Sequence, residues 1–452
     1  MQWSAIPERA PGRTIALIGV LFAVAYTLGL ILLAKPDGRI VIGDAMHEYV
    51  QLRSAVFDRD LRFTNEYLRL YGLTPETVDE ETRWIVDTNE TGHVKNLMPV
   101  GPALLWAPAF LITTAAVWAG NHIGLAYPLD GYGRVFQASA GYTGIAAAAL
   151  AAWLSFLAAA SFFDRRSAIW ATLAVWLASS AIYYSLVSPT YSHAPSMLAV
   201  SLFCLVWIRT RARQTLSRYA LLGALAGVAA LMRWQDAVLL VVPAVEALAA
   251  ARSAKWTAVV LKIGAAGLGA FLAFTPQMFV WQRLYGHPLT IPQGAAFMQW
   301  QTPALVAVLF SDNHGLFTWT PVIALACIGL APLTRRAALV GAGAIAFLVI
   351  SWYVNAAVAD WWAGEAFGAR RFVACFPFFV LGTAAVFDRW KDRPVRIVAC
   401  ATVFVALTLL LLVQYQAFMH GARAIAPYPK GFEGLWLARF VVPFRLLRSI
   451  LK

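Results

Sequence analysis

Residues 14–34 carry no charge over 21 positions. Wound as a helix, an uncharged stretch of that length matches the hydrocarbon thickness of a bilayer. Apolar runs recur at 135–161, 168–186, 194–208, 219–232, 235–250, 257–280, 315–333, 337–356, 371–387 and 396–414. Together they predict about eleven transmembrane helices, because backbone polar groups in lipid must be satisfied within their own segment. Composition agrees. Of 452 residues, 60% are apolar and 13% charged, and so few charges cannot cover a soluble surface of this size. The fold class is all-α polytopic membrane protein, with residues 1–452 as a single transmembrane domain. Soluble-enzyme, nucleic-acid-binding and disordered classes are excluded. Cys204, Cys327, Cys375 and Cys400 each lie in an apolar run without paired spacing, which indicates neither a disulfide framework nor a zinc site. The first run ends at Lys35-Pro36 without a small-residue cleavage site, so it is expected to remain as an uncleaved span.

A further apolar run, 98–119, contains Pro99, Pro102 and Pro108, which kink a helix or begin one. Charge decides its place. If it does not cross, and the N-terminus is cytoplasmic, five basic loops all face the cytoplasm. They hold Arg165/Arg166, Arg209/Arg211/Arg213/Arg218, Arg252/Lys255, Arg335/Arg336 and Arg389/Lys391/Arg393/Arg396. With Arg9 and Arg13, 16 of 36 basic residues then lie inside, as the positive-inside rule prefers. The run is therefore expected to be a re-entrant or interfacial helix of the first external loop, 36–133. The net charge, 36 − 23 = +13, has the same origin in loops facing an anionic leaflet. Residues 436–452 set Arg439, Arg445, Arg448 and Lys452 among Phe, Leu and Val. The external segment 415–452 is thus expected to end in an amphipathic helix on the membrane.

Residues 36–98 hold 12 of the 23 acids. Between Asp44 and Asp58, apolar positions at Met46, Tyr49, Val50 and Val56/Phe57 have roughly helical spacing, which predicts an amphipathic helix. Gly43 permits a sharp turn before it. Asp44 then either N-caps the helix or stands at the membrane surface as a general base. Lys95 precedes Asn96-Leu97-Met98-Pro99 and either snorkels or holds a lipid phosphate. Arg233 interrupts a long apolar stretch on the external side. It pairs with Asp236 or offers a bidentate phosphate ligand. Asp360, Trp361, Trp362, Glu365, Arg370 and Arg371 gather at the external end of another span. An aromatic belt accounts for the tryptophans but not for adjacent external arginines. His193 opens a span as a base, a metal ligand or an interfacial histidine. Residues 281–314, with Gln293, Asp312 and His314, are expected to form an ordered external loop that covers a site.

Acids, cations and aromatics thus converge on one face, as a phosphate-bearing lipid and a polar acceptor require. This layout resembles the GT-C superfamily of membrane glycosyltransferases, in particular the group of aminoarabinose transferase and protein O-mannosyltransferases. The resemblance covers most of the chain in topology and is short in motif. Gly43-Asp44 with Glu48-Tyr49 resembles the family's early Asp followed by an aromatic one turn on, with one residue more than the aminoarabinose enzymes have. His93-Val94-Lys95 before Pro99 resembles their Lys-Pro element, with altered spacing. Met232-Arg233 stands where that family has a Lys or Arg after an apolar span. Stretches 189–194, 314–321 and 367–372 are similar to uncharacterised bacterial GT-C-like proteins.

The resemblance implies inverting transfer of a sugar from a polyprenyl-phosphate donor to a lipid, glycan or protein acceptor. Asp44 is then the catalytic base, and Lys95, Arg233, Arg370 and Arg371 bind the donor phosphate. His47, Glu48, Tyr191, His193, His314, Asp360, Trp361, Trp362 and Glu365 are candidate substrate-binding residues, and run 98–119 lines the groove for the prenyl tail. Many relatives carry a second acid in the second external loop, sometimes with a metal. Here Ser192 and His193 stand in that loop, so a metal-independent enzyme without cofactor is expected, and no nucleic-acid partner. The unpaired cysteines and the Ala, Arg and Gly bias fit a bacterial inner membrane, with the site on its periplasmic side. A transporter or flippase of a lipid-linked or anionic substrate is the alternative. Against it stand the lack of paired inverted halves and of acids deep in the spans, Glu246 lying near a cytoplasmic end.

Overall fold

A computed structural model of the chain describes residues 6–33, 38–251 and 255–451; Lys35, Pro36, Arg252 and Lys452 lie outside the described residues. The labelled helices are α1 (Pro11–Leu32), α2 (Asp44–Arg53), α3 (Gly101–His122), α4 (Arg134–Ala159), α5 (Arg165–Leu177), α6 (His193–Thr210) and α7 (Leu216–Met232). They continue as α8 (Val241–Ala250), α9 (Trp256–Tyr285), α10 (Ala338–Ala356), α11 (Arg370–Asp388, opening in a 3₁₀ turn), α12 (Pro394–Met419) and α13 (Ala438–Ile450). Among the described residues β pairing is confined to two isolated bridges, Thr88–Val94 and Met298–Val358. The chain is an all-α polytopic membrane protein.

Among the described residues, eight helices are individually long and apolar enough to cross a bilayer: α1, α3, α4, α6, α9, α10, α11 and α12. Seven of these answer to expected spans, and α3 is the run that was set apart. The other four expected runs are short or broken. Run 168–186 leaves α-helix at Leu177 and resumes as a π-turn at Tyr183–Val187. Run 219–232 falls in α7, of 17 residues. Arg233 then takes an extended backbone (φ −150°), and run 235–250 divides into a 3₁₀ segment, Trp234–Leu240, and α8. Run 315–333 is interrupted at Pro321, which has no N–H to continue the preceding helix.

The bundle has two unlike ends. At one, Arg166 pairs with Glu8 (2.7 Å) and Arg336 with Asp388 (3.6 Å). Nearby, Arg211 lies over the Phe162 ring. Glu246 is buried there and accepts both Arg218 nitrogens (2.8 and 3.0 Å) and the Trp207 indole N–H (2.8 Å). This ties α6, α7 and α8 together at the end rich in basic loops. Asp44 lies at the other end, beyond the C-terminus of α1.

Both ends of α3 meet this second end. A Cβ at Gly101 would strike the backbone of Leu231–Met232, where α7 terminates. At the far end, the Asn121 amide exchanges two 2.8 Å bonds with the Tyr127 backbone. The Tyr127 ring rests against Gly133, and Arg134 then donates to the Leu30 carbonyl near the end of α1. Midway, Phe110 packs on Tyr49 of α2 and Phe136 of α4. Elsewhere α7 and α9 approach closely. A Cβ at Gly223 would meet Ala266 backbone, and one at Gly269 the Ala220 backbone, as small residues permit between membrane helices. In α13, Phe440, Val441, Phe444 and Leu447 are exposed beside Arg445 and Arg448, the amphipathic pattern expected of 436–452. Arg439, in contrast, is buried and stacks 4.3 Å over the Trp436 ring.

Candidate active site

Gly43 has φ +54°, and the Tyr191 hydroxyl stands 2.8 Å from where its Cβ would lie. Only glycine takes this turn without strain or collision. It starts α2 at Asp44, the first helical residue. Gly43 occupies the N-cap position, and no side-chain cap bond forms. The expected N-cap role of Asp44 is therefore not realised. Its carboxylate instead meets Arg370 Nη1 at 3.1 Å.

Arg371, the next residue, donates to Asp360 through its carboxylate (2.7 Å) and its carbonyl (2.6 Å). Arg233 reaches Ser192 Oγ and Gln235 Oε1, each at 3.3 Å, and its buried Nε has no partner among the described residues. Among the described residues Arg233 and Asp236 form no direct ion pair, and the Asp236 carboxylate accepts from the Ser196 hydroxyl. Asp44, Asp360, Ser192, Gln235 and the three arginines line one cavity of about 230 Å³. Met98 and Pro99 close one side. Loop 286–304 supplies Gln293, Phe297 and Met298, held by the Met298–Val358 bridge and by Gln299 N–H to Ala357 O (2.6 Å). The expected covering loop is thus part of the wall.

Glu48 lies one turn beyond Asp44 and is fully buried, with the Ser192 hydroxyl as its nearest polar influence among the described residues. Burial pushes its pKa well above the carboxylate range. The Ser192 hydroxyl and the charges of Arg233 and Arg370 oppose the rise, while Asp44 adds to it. Burial thus favours the neutral form of Glu48, whereas Asp44 is ion-paired. Around the cavity three guanidinium groups face two paired carboxylates, which leaves one excess positive charge, on Arg233.

Trp234 is a wall both of this cavity and of an apolar groove of about 570 Å³ between α7 and α9, lined by Ala230, Phe271, Phe274 and Trp281. Run 98–119 does not line this groove; its residues Val100, Ala103, Leu104 and Ala107 line a separate groove against α2 and α9. Gly101 docks α3 end-on against α7, and its length turns toward α2 and α4.

Other expected site residues stand apart. Lys95 is exposed and does not line the cavity. His47 bonds Tyr67 OH (2.8 Å) and stacks on Trp84; burial pushes its imidazole down to about 4, against the pull of Asp44. His193 is buried against the Tyr184 ring. His314 joins three loops, bonding Trp362 O (2.8 Å) and Tyr428 OH (2.7 Å), and burial lowers its pKa to about 4. Trp361 and Trp362 pack edge to face, Glu365 is exposed, and none of the three lines the cavity. Tyr191 backs the site through Gly43, with Arg370 5.8 Å over its ring. Among the lining residues that sequence reasoning left without a role are Trp234, Gln235, Phe297, Met298, Val354 and Val358. For the first two a signal existed, since they follow Arg233 directly within an interrupted apolar stretch.

No family profile matches the chain, and no curated protein matches it. Among solved structures it is similar to the oligosaccharyltransferase AglB of Archaeoglobus fulgidus in complex with an inhibitory peptide and a dolichol-phosphate. The TM-score is 0.44 and the identity 13%, over 98% of this chain and 55% of that one. The apo form of the Archaeoglobus fulgidus oligosaccharyltransferase gives 0.44 and 12%, over 99% and 55%. The chain spans about half the length of these structures.

Proposed function

We propose that this protein is an inverting membrane glycosyltransferase that moves a sugar from a polyprenyl-phosphate carrier to a hydroxyl of a lipid, glycan or protein. One arrangement carries the reading: the Asp44 carboxylate, an arginine-lined cavity and an apolar groove follow one another in space. Asp44 takes the acceptor's proton as the acceptor oxygen attacks the anomeric carbon. The bond from that carbon to the phosphate oxygen breaks, and Arg233, Arg370 and Arg371 stabilise the charge left on the phosphate. The prenyl tail lies in the groove between α7 and α9, past Trp234. Burial opposes a second negative charge, on Glu48, beside the phosphate. Lys95, exposed outside the cavity, is assigned no contact with bound donor.

The Asp44 end is placed on the periplasmic side of a bacterial inner membrane. The opposite end gathers the basic loops, as a cytoplasmic face does. Because both its ends lie on the Asp44 side, α3 is read as an in-plane or re-entrant helix within 36–133. The test is transfer by Asp44→Asn. The reading requires its loss in a protein that still folds and binds donor; near-normal transfer removes Asp44 from the chemistry.

A further inference from the structure

A second, larger groove of about 970 Å³ lies between α2 with its following π-turn, α3 and α9. It neighbours the arginine-lined cavity in sequence, since Pro99 lines the cavity and Val100 the groove. Its floor is apolar: Leu52, Val56, Ala103, Leu104 and Phe279. Leu104 and Phe279 are about half exposed (49% and 57%), so the groove opens sideways on a surface that faces lipid. At its rim stand Arg59, Arg62 and Arg283, all exposed. Asp60, the rim's one acid, accepts instead from the Ser54 hydroxyl (2.8 Å) and the Arg62 backbone N–H (3.1 Å). None of the three arginines forms an ion pair among the described residues; Arg283 lies 5.4 Å from the Phe279 ring centroid.

An apolar trough with three guanidinium groups against one carboxylate at its rim matches an amphiphile with an anionic head. Arg offers a bidentate, permanently charged ligand for the phosphate of such a head. We infer that this groove binds an anionic glycerophospholipid of the surrounding leaflet, chains along Leu104 and Phe279 and phosphate on Arg59, Arg62 and Arg283. The lipid is a resident of the groove and neither donor nor acceptor. It braces the C-terminal half of α2, the helix whose first residue is Asp44.

The protein is reconstituted in nanodiscs of phosphatidylcholine with phosphatidylglycerol, extracted in mild detergent, and the lipid retained is counted by native mass spectrometry. The wild type keeps phosphatidylglycerol in preference to phosphatidylcholine. Arg59→Gln/Arg62→Gln/Arg283→Gln lowers that retention by about tenfold or more. Leu104→Trp, which fills the trough and leaves the charge unchanged, lowers it as well. Equal retention of the two lipids by the wild type overturns the assignment, as does a triple variant that keeps phosphatidylglycerol undiminished. Displacement of phosphatidylglycerol by added polyprenyl phosphate, lost in the same triple variant, also overturns it and gives the groove to the carrier.

Discussion

Arg370 and Asp44 form an ion pair of 3.1 Å that joins the start of α11 to the start of α2. In the proposed reaction the two have opposite duties, one toward the leaving phosphate and one toward the acceptor proton. Their contact fixes base and anion site relative to each other before substrate arrives, and such preorganisation costs nothing at the moment of reaction. The second Asp44 oxygen accepts no hydrogen bond among the described residues, so it is free to face the acceptor hydroxyl.

Asp44→Asn keeps the size of the side chain and removes the base. Transfer is expected to fall by about 10²–10⁴-fold. Binding of polyprenyl phosphate, measured in parallel, should be retained, because the arginines remain. Loss of both together would give Asp44 a structural role.

Glu48→Gln tests the protonation state of the buried acid. A carboxyl whose folded-state pKa is raised holds its proton more tightly folded than unfolded. Its contribution is therefore most favourable at low pH and is lost as pH rises above the unfolded value. Wild-type stability should decline more steeply than that of Glu48→Gln, which cannot ionise, as pH rises above about 4.3, the unfolded value. Parallel thermal-unfolding curves for the two proteins across that range would show that Glu48 is not held protonated.

Gly43→Ala places a Cβ against the Tyr191 hydroxyl at a φ of +54°. Destabilisation of about 1–3 kcal/mol is expected from the backbone strain alone. Adding Tyr191→Phe should relieve the collision but not the strain, so Tm recovers in part. Full recovery would mean that the turn tolerates any residue.

Glu246→Ala leaves Arg218 buried without its partner and should cost about 3–5 kcal/mol. The pair lies at the end of the bundle away from Asp44, so polyprenyl-phosphate binding by the folded fraction should not change. A parallel fall in binding per folded molecule would couple the two ends.

The placement of α3 is tested by labelling single cysteines in a background without the four native ones. Glu81→Cys, ahead of α3, and Leu125→Cys, just past it, should react with a membrane-impermeant reagent from the same side. Labelling from opposite sides would make α3 a full crossing.

Much of the fold was legible because apolar length is a coarse signal. Residues 14–34 and 396–414 need nothing beyond hydropathy, and α1 and α12 follow. Run 235–250 did not resolve, because hydropathy does not register the backbone break that Arg233 makes between α7 and the 3₁₀ segment. Asp44, Arg233, Arg370 and Arg371 stood out as charges where a membrane end makes charge costly, and they line one cavity. His47, His193 and His314 stood out for the same reason, yet they bond or pack within loops and core. Residue type cannot tell a histidine facing a cavity from one bonded to Tyr67 or Tyr428. Lys95 was read from its place before Pro99, and a motif position does not say which way a loop side chain points. Phe297 and Met298 had no signal, since a loop residue becomes a wall only through tertiary contact.

The central claim is a lipid-phosphate site made by the arginines beside Asp44. Its most direct test is binding of a polyprenyl phosphate to the purified protein, wild type beside Arg233→Ala and Arg370→Ala. Loss of one charge-assisted contact should weaken binding by about 10–100-fold in each variant, and the account predicts that both weaken. Wild type that is folded and binds no polyprenyl phosphate, or variants that bind as tightly as wild type, would contradict it.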